Sequence, residues 1–402
     1  MARIGKTIID LHAIKDQWKR SLPGGLDPLA ATADLRSSAF SPGAHLTEVA
    51  DFGDNPGNLR LLSYVPPRVA PSPALVVVLH GCRQTASGYD IGSGWSELAD
   101  AQGFVLCLPE QRSSNNPNNC FNWFQVGDIE RERGEAASIR AMVEHMAVAH
   151  NVDRSRIFVT GLSAGGAMTS VMLATYPDVF AGGAIIAGLP YRSAVTVHGA
   201  FESMSRGDSR AAPDAAEAVR AASSHQGPWP RVSVWHGTAD TTVTHDNAGA
   251  IIAQWAHLQG LSVAPAREEL VDGQRHRVWT DAAGVDRIEE YVIQGLGHGT
   301  PLDAGTGETQ FGVPGPYLLE AGISSTYRIA QFWGLISAEG SRTAPREAKR
   351  AAPREAPPRC EAVSVRSVQE RAGQRADARG PAGLMAGVED TIRKALRSAG
   401  LL

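Results

Sequence analysis

The sequence predicts a three-layer α/β domain with a mainly parallel central sheet. Three observations carry that reading. Residues 74–80, 104–109, 157–160 and 184–187 are short, continuous runs of aliphatic and aromatic residues, as expected of strands buried on both faces. Segments between them place apolar residues at helical spacing, as Ile139, Met142, Val143 and Met146 do. One strand also ends in Gly161-Leu-Ser-Ala-Gly165, a glycine-flanked turn that runs directly into an Ala-, Met- and Leu-rich helix. Strands alternating with helices at this spacing build parallel units covered on both faces.

The 402 residues are 43% hydrophobic, enough for one large domain plus tails. A balance of 38 Lys and Arg against 42 Asp and Glu leaves −4, which points to neither a nucleic-acid nor a membrane partner. That total conceals a split: residues 339–402 hold 13 basic and 8 acidic residues, or +5, so the rest carries −9. Cys82, Cys107, Cys120 and Cys360 are too few for a disulfide scaffold, and their spacing suits no zinc site. No apolar run reaches the ~18 residues of a membrane-spanning helix. Residues 1–10 carry charge where a signal peptide would have its apolar core, so no export signal is readable and the cytoplasm is expected.

Residues 1–42 read as a polar lead-in, with Ile8, Ile9, Leu11 and Ile14 on one side of a helix ended by Pro23-Gly24-Gly25. The α/β domain is expected over 43–336. Residues 45–52 and 58–65 have strand character, and Asp54-Asn55-Pro56-Gly57 between them predicts an antiparallel hairpin at the sheet edge. The 74–80 strand empties into His80-Gly81-Cys82-Arg83-Gln84 at its carboxyl end, where open α/β sheets bind ligands. A helix over 95–101, stopped by Gly103, leads to the 104–109 strand. From 111 to 124 the chain is Asn-rich and ends in an aromatic cluster, a candidate functional loop by its length.

A helix over 134–150 precedes the 157–160 strand, and the helix after Ser163 is closed by Pro177. Residues 191–230 lack periodicity and read as an excursion over the active face, helical between 211 and 222. The strand at 231–237 runs into Thr238-Ala239-Asp240, and a helix follows over 247–258. Late strands are expected over 263–279 and 287–293, the second leading into Gly295-Leu-Gly-His298-Gly299, and a last helix over 317–335. Beyond 336 the composition turns to Ala, Pro, Arg and Glu, so 337–381 read as linker or disorder. Leu384, Val388, Ile392 and Leu396 then repeat every four residues in a short amphipathic helix over 382–402. It is expected to dock on the body or on a second copy of the chain, with a lipid or polymer-granule surface as the alternative.

The turn at Ser163 carries the chemistry. A serine between strand and helix has its hydroxyl lifted clear of the sheet, and the flanking glycines let the chain cross where side chains would collide. The hydroxyl needs a base, usually a histidine steered by a carboxylate. In the α/β-hydrolase arrangement the three occur in the order Ser, Asp or Glu, His. Asp240 fits the acid, 77 residues beyond Ser163 and just after a predicted strand; His298 fits the base, 58 residues further on between glycines. His80 and His236, at strand ends, read as turn supports, and Asp303 as a cap on the His298 loop. Acyl transfer also needs N–H donors aimed at the developing oxyanion. Ala164 N–H would supply one, and Cys82 N–H is the candidate for the other. The Cys82 side chain leaves two readings open, pairing with Cys120 or a free buried thiol. This chemistry calls for no cofactor and no metal.

Five segments in order, Leu79-His-Gly-Cys-Arg-Gln84, Cys120-Phe-Asn-Trp-Phe124, Gly161-Leu-Ser-Ala-Gly-Gly166, His236-Gly-Thr-Ala-Asp240 and Gly297-His298, resemble the polyhydroxybutyrate depolymerase-type esterases. Feruloyl and acetylxylan esterases are near relatives of that family. The resemblance spans residues 45–335 and implies an α/β-hydrolase fold, a Ser163, Asp240 and His298 triad, and Cys82 at the oxyanion hole. It also puts the Trp123 loop beside the acyl pocket, with Trp123, Asn122 and Trp95 as candidate substrate-binding residues. Trp95, Trp123 and Trp229 can equally be core. The implied activity is hydrolysis of short-chain hydroxyacyl esters, polyhydroxybutyrate or its oligomers. Alternatives are a feruloyl or acetylxylan esterase and a non-catalytic protein of polymer granules. The chain departs from the family in two respects: members are commonly extracellular, and no separate polymer-binding domain is visible.

Overall fold

The computed structural model describes residues 45–336. The lead-in, linker and terminal helix expected from the sequence lie outside the described residues. Strands β1 (Thr47–Val49) and β2 (Arg60–Tyr64) form the expected antiparallel edge pair, with Thr47 opposite Ser63. Next along the chain come β3 (Leu75–Leu79), β4 (Val105–Glu110), β5 (Ile157–Leu162), β6 (Gly182–Ile186) and β7 (Arg231–Gly237). With β8 (Arg267–Val271), β9 (Gln274–Thr280) and β10 (Asp286–Ile293) they make one ten-stranded sheet ordered β1-β2-β4-β3-β5-β6-β7-β10-β9-β8. From β4 to β10 every neighbouring pair is parallel; the outer pairs on each side are antiparallel.

The continuous apolar runs have a direct cause. In β3, Leu75, Val77 and Leu79 enter one core layer while Val76 and Val78 enter the other, because successive side chains point to opposite faces of the sheet. Helices α3 (Gly134–Ala149), α4 (Ala164–Thr175) and α7 (Asp246–Gln259) cover the first layer through Ile139, Met142, Met168, Met172, Ile251 and Trp255. The second is covered by α1 (Ala86–Ser93), α2 (Trp95–Gln102) and α8 (Ser325–Phe332) through Tyr89, Trp95, Leu98 and Ile329. Helices α5 (Val197–Arg206) and α6 (Ala212–Arg220) lie in the 191–230 excursion.

Four local expectations change. Residues 263–279 are not one strand: β8 and β9 form a hairpin across Asp272-Gly273, both at positive φ (50° and 76°), as a two-residue turn matched to strand twist requires. The expected helix over 317–335 begins only at Ser325; its first part is β12 (Leu318–Glu320), paired in parallel with β11 (Thr300–Leu302). Helices α1 and α5 have no counterpart in the sequence reading. Glycine and serine blur the apolar spacing of α1, and both helices are set by caps: Thr85 Oγ1 accepts from Gly88 N–H and Thr196 Oγ1 from Gly199 N–H, each at 3.1 Å.

Candidate active site

Ser163 stands at the join of β5 and α4 with φ 57° and ψ −116°, a strained conformation for a non-glycine residue. Its N–H donates to Ile186 O at 2.9 Å and its carbonyl accepts from Ala167 N–H at 2.8 Å, so strand β6 and helix α4 hold the turn from both sides. A Cβ on Gly165 would collide with the carbonyl oxygens of Leu79 and His80. That glycine lets the helix start pass close over the end of β3.

Asp240 and His298 converge on this serine from the ends of β7 and β10. Asp240 Oδ1 accepts from Thr242 N–H (2.8 Å) and Val243 N–H (2.9 Å), which aims Oδ2 at His298 Nδ1, 2.7 Å away. With Nδ1 donating to the carboxylate, Nε2 is left as an acceptor for the Ser163 hydroxyl at 2.8 Å. A second histidine backs the acid: His236 Nε2–H donates to Val243 O at 2.8 Å and lies 3.3 Å from Asp240 Oδ2. Burial alone would push the Asp240 carboxyl up. Hydrogen bonds from His236 and His298 and from the Val243 N–H outweigh it and hold the group well below the usual carboxylate range.

The turn after β3 is over-determined. Gly81 N–H donates to Gln84 Oε1 (2.8 Å), Arg83 N–H to Asn118 O (2.7 Å) and Gln84 N–H to Gly81 O (3.3 Å). Among the described residues Cys82 N–H has no such acceptor. Ala164 N–H opens α4, one of the first four donors that a helix leaves without an internal partner. His80 donates Nδ1–H to Gly81 O at 2.8 Å and accepts from Gln111 N–H at Nε2, 3.1 Å. Gly81 C=O and Cys82 N–H belong to one planar trans peptide, so the imidazole that aims the first also aims the second. The Cys82 thiol is joined to Cys120 in a disulfide, with Cα atoms 4.3 Å apart, and is not free.

Trp123 is 5% exposed and packs with Ala164, Ala167, Leu189 and Val243, with Cys82 and Cys120 against them. This apolar cluster includes Ala164, the residue that follows Ser163. Two predicted substrate contacts are corrected. Trp95 is 1% exposed at the start of α2, stacked 5.9 Å from Trp333, so it is core. Asn122 is buried inside its own loop: Oδ1 accepts from Asn116 Nδ2 at 3.1 Å and its N–H donates to Glu135 Oε2 at 2.8 Å. Trp229 rests on the α3/α4/α7 core layer beside His225. Asp303, expected to cap the His298 loop, accepts at Oδ1 from Gln310 Nε2 at 2.9 Å. One residue at the site was missed. Tyr317 sets its ring 6.0 Å from that of His298 at 76°, and the preceding Pro314-Gly315-Pro316 was the available sign that no helix begins there.

A family model described as Esterase PHB depolymerase matches residues 59–274, more than half of the chain. The chain belongs to this family. Poly(3-hydroxyalkanoate) depolymerase C of Paucimonas lemoignei is 46% identical over 292 residues, covering 72% of this chain and 70% of that protein. Feruloyl esterase B of Talaromyces stipitatus is 33% identical over 281 residues, covering 68% and 77%. Among solved structures, an acetyl xylan esterase from Aspergillus awamori matches with a TM-score of 0.61 at 27% identity, over 72% of this chain and 99% of that one. This member of the esterase PHB depolymerase family is a carboxylic ester hydrolase with the α/β-hydrolase fold. Among its described residues no helix is long and apolar enough to cross a membrane.

Proposed function

We propose that this esterase hydrolyses short-chain hydroxyacyl esters, with polyhydroxybutyrate or its oligomers as substrate, through a Ser163–His298–Asp240 triad. The observation that carries the reading is the unbroken hydrogen-bonded chain from Asp240 Oδ2 through His298 to Ser163 Oγ, with links of 2.7 and 2.8 Å. Ser163 Oγ attacks the ester carbonyl while His298 Nε2 takes its proton; the oxyanion that forms is met by the N–H groups of Cys82 and Ala164. Collapse of the tetrahedral intermediate breaks the bond to the alcohol, which leaves with the proton held on His298. Water then repeats the sequence on the acyl-enzyme and frees the acid. Asp240 stays ionised throughout, as its depressed pKa favours.

The 46% identical depolymerase supports the polyester; the feruloyl and acetyl xylan esterases support cell-wall esters as the second reading. Nothing favours the non-catalytic granule protein. The deciding experiment offers amorphous polyhydroxybutyrate and a feruloylated sugar side by side to wild type and Ser163→Ala. Release of 3-hydroxybutyrate by wild type is expected, with turnover reduced on the order of 10³-fold or more in Ser163→Ala. Ferulate release instead would select the cell-wall reading, and activity retained by Ser163→Ala would remove the triad assignment.

A further inference from the structure

We propose that Tyr317 is a substrate-contact residue that reads the leaving alcohol of the ester. The inference rests on the triad assignment above and adds to it a residue outside the Trp123 cluster.

Two features of Tyr317 have no structural explanation. The residue is 44% exposed and lies outside the core clusters, yet its ring stands edge-on to His298 with centroids 6.0 Å apart. Its backbone has φ 63°, in the left-handed region that a bulky aromatic residue rarely adopts and glycine takes freely. A position that only had to shape the loop would be better filled by glycine. Strain of this kind persists where neighbouring structure holds it and a side chain is needed at that place. The holding structure is visible: Thr300 N–H donates to Tyr317 O at 2.9 Å, and a Cβ on Gly299 would come within 2.9 Å of that same oxygen. The β11–β12 pair therefore ties Tyr317 to the segment that carries His298.

The chemistry says which part of the ester meets the ring. His298 Nε2 must hand its proton to the departing alkoxide, so the alcohol oxygen lies on the His298 side of the carbonyl carbon. Ala164 and Cys82, whose N–H groups are the proposed oxyanion donors, pack instead with Trp123 in an apolar cluster that does not include Tyr317. A ring against His298 consequently borders the alcohol portion. Its CH-rich, partly apolar surface suits an extended alcohol, such as the next hydroxyacyl unit of a polyester, and has nothing to grip in methanol.

The test uses two esters with the same 3-hydroxybutyryl acyl group, one of methanol and one of 3-hydroxybutyrate (the linear dimer). In Tyr317→Gly, kcat/KM for the dimer is expected to fall about tenfold, as loss of one apolar contact region implies, while that for the methyl ester changes by less than about twofold. The deacylation rate in single turnover stays as in wild type, because both esters share one acyl-enzyme. Tyr317→Phe keeps dimer activity. Thermal stability of Tyr317→Gly equals or exceeds wild type, since the strain is relieved; Tyr317→Asn, also tolerant of this φ, repeats the kinetics with a side chain present. Equal losses on both esters, or no loss on the dimer, overturn the inference. Ser163→Ala run alongside separates the two failures: activity in that variant removes the triad and this inference together, whereas an inactive Ser163→Ala with equally impaired esters overturns the inference alone.

Discussion

The imidazole of His80 has one proton arrangement that satisfies both neighbours: Nδ1 protonated toward Gly81 O, Nε2 open to Gln111 N–H. Burial draws its pKa below the usual value, which keeps that neutral form. A residue that reads from sequence as a turn support thus supports one particular turn, the one whose next peptide N–H is the proposed oxyanion donor. His80→Asn keeps a donor at the δ position, and His80→Gln moves it out to ε. The expected outcome is a drop in kcat of tenfold or more for His80→Gln, with KM little changed, and a smaller drop for His80→Asn; complete loss of one oxyanion donor costs about 10²–10³. Steady-state kinetics on a soluble ester, paired with melting curves for each variant, check it. Equal kcat values in Gln and Asn variants of equal stability would count against the positioning role.

At the scale of the element, the Asn-rich loop from 111 to 124 shows what length and composition leave unsaid. Length marked it as functional, but its asparagines mostly bind the loop to itself and its surroundings: Asn115 Nδ2 donates to Gly57 O (2.9 Å) and Gln111 Oε1 (2.8 Å), and Asn116 Nδ2 to Asn122 Oδ1 (3.1 Å). The anchor beneath is Glu135, in the first turn of α3, which accepts from Gln111 Nε2 and Asn122 N–H. Burial, together with the negative charge of Asp128, raises the Glu135 carboxyl from 4.5 to about 8. A group raised in the folded state stabilises the fold fully below its unfolded pKa, and that stability is lost as pH rises through the folded value. The chain should therefore lose stability between pH 4.5 and about 8, by at most ~1.4 kcal/mol per pH unit from this group. Denaturant titrations at successive pH values should show the slope in wild type and a flatter one in Glu135→Gln; the same slope in both would assign it elsewhere.

The described residues as a whole form a sheet between two core layers, and the tryptophans show how far such layers can be read in advance. Trp95, Trp333 and Phe158 stack in one of them, with centroids 5.9 and 4.8 Å apart. Trp95→Ala is expected to cost about 3–5 kcal/mol of stability through the cavity it leaves, with kcat/KM per folded molecule unchanged. Equilibrium unfolding and kinetics on the same preparation test this; a raised KM at wild-type stability would return Trp95 to the binding site. Nothing local distinguishes it from Trp123, since each adjoins a predicted helix or aromatic cluster.

Features that depend on neighbours along the chain are legible without any coordinates. Continuous apolar runs made the strands parallel and doubly buried, G-x-S-x-G made the serine turn, and the order of Ser163, Asp240 and His298 followed from where strands end. The remaining features needed the closed fold. It joined Cys82 to Cys120 across 38 residues, brought His298 to a serine 135 residues away, sorted Trp95 from Trp123, and turned residues 318–320 into a strand that holds Tyr317 against the histidine. Those outcomes depend on which surfaces meet when the layers close. A local pattern states what kind of surface each segment offers, and only the closed fold states which surface it meets.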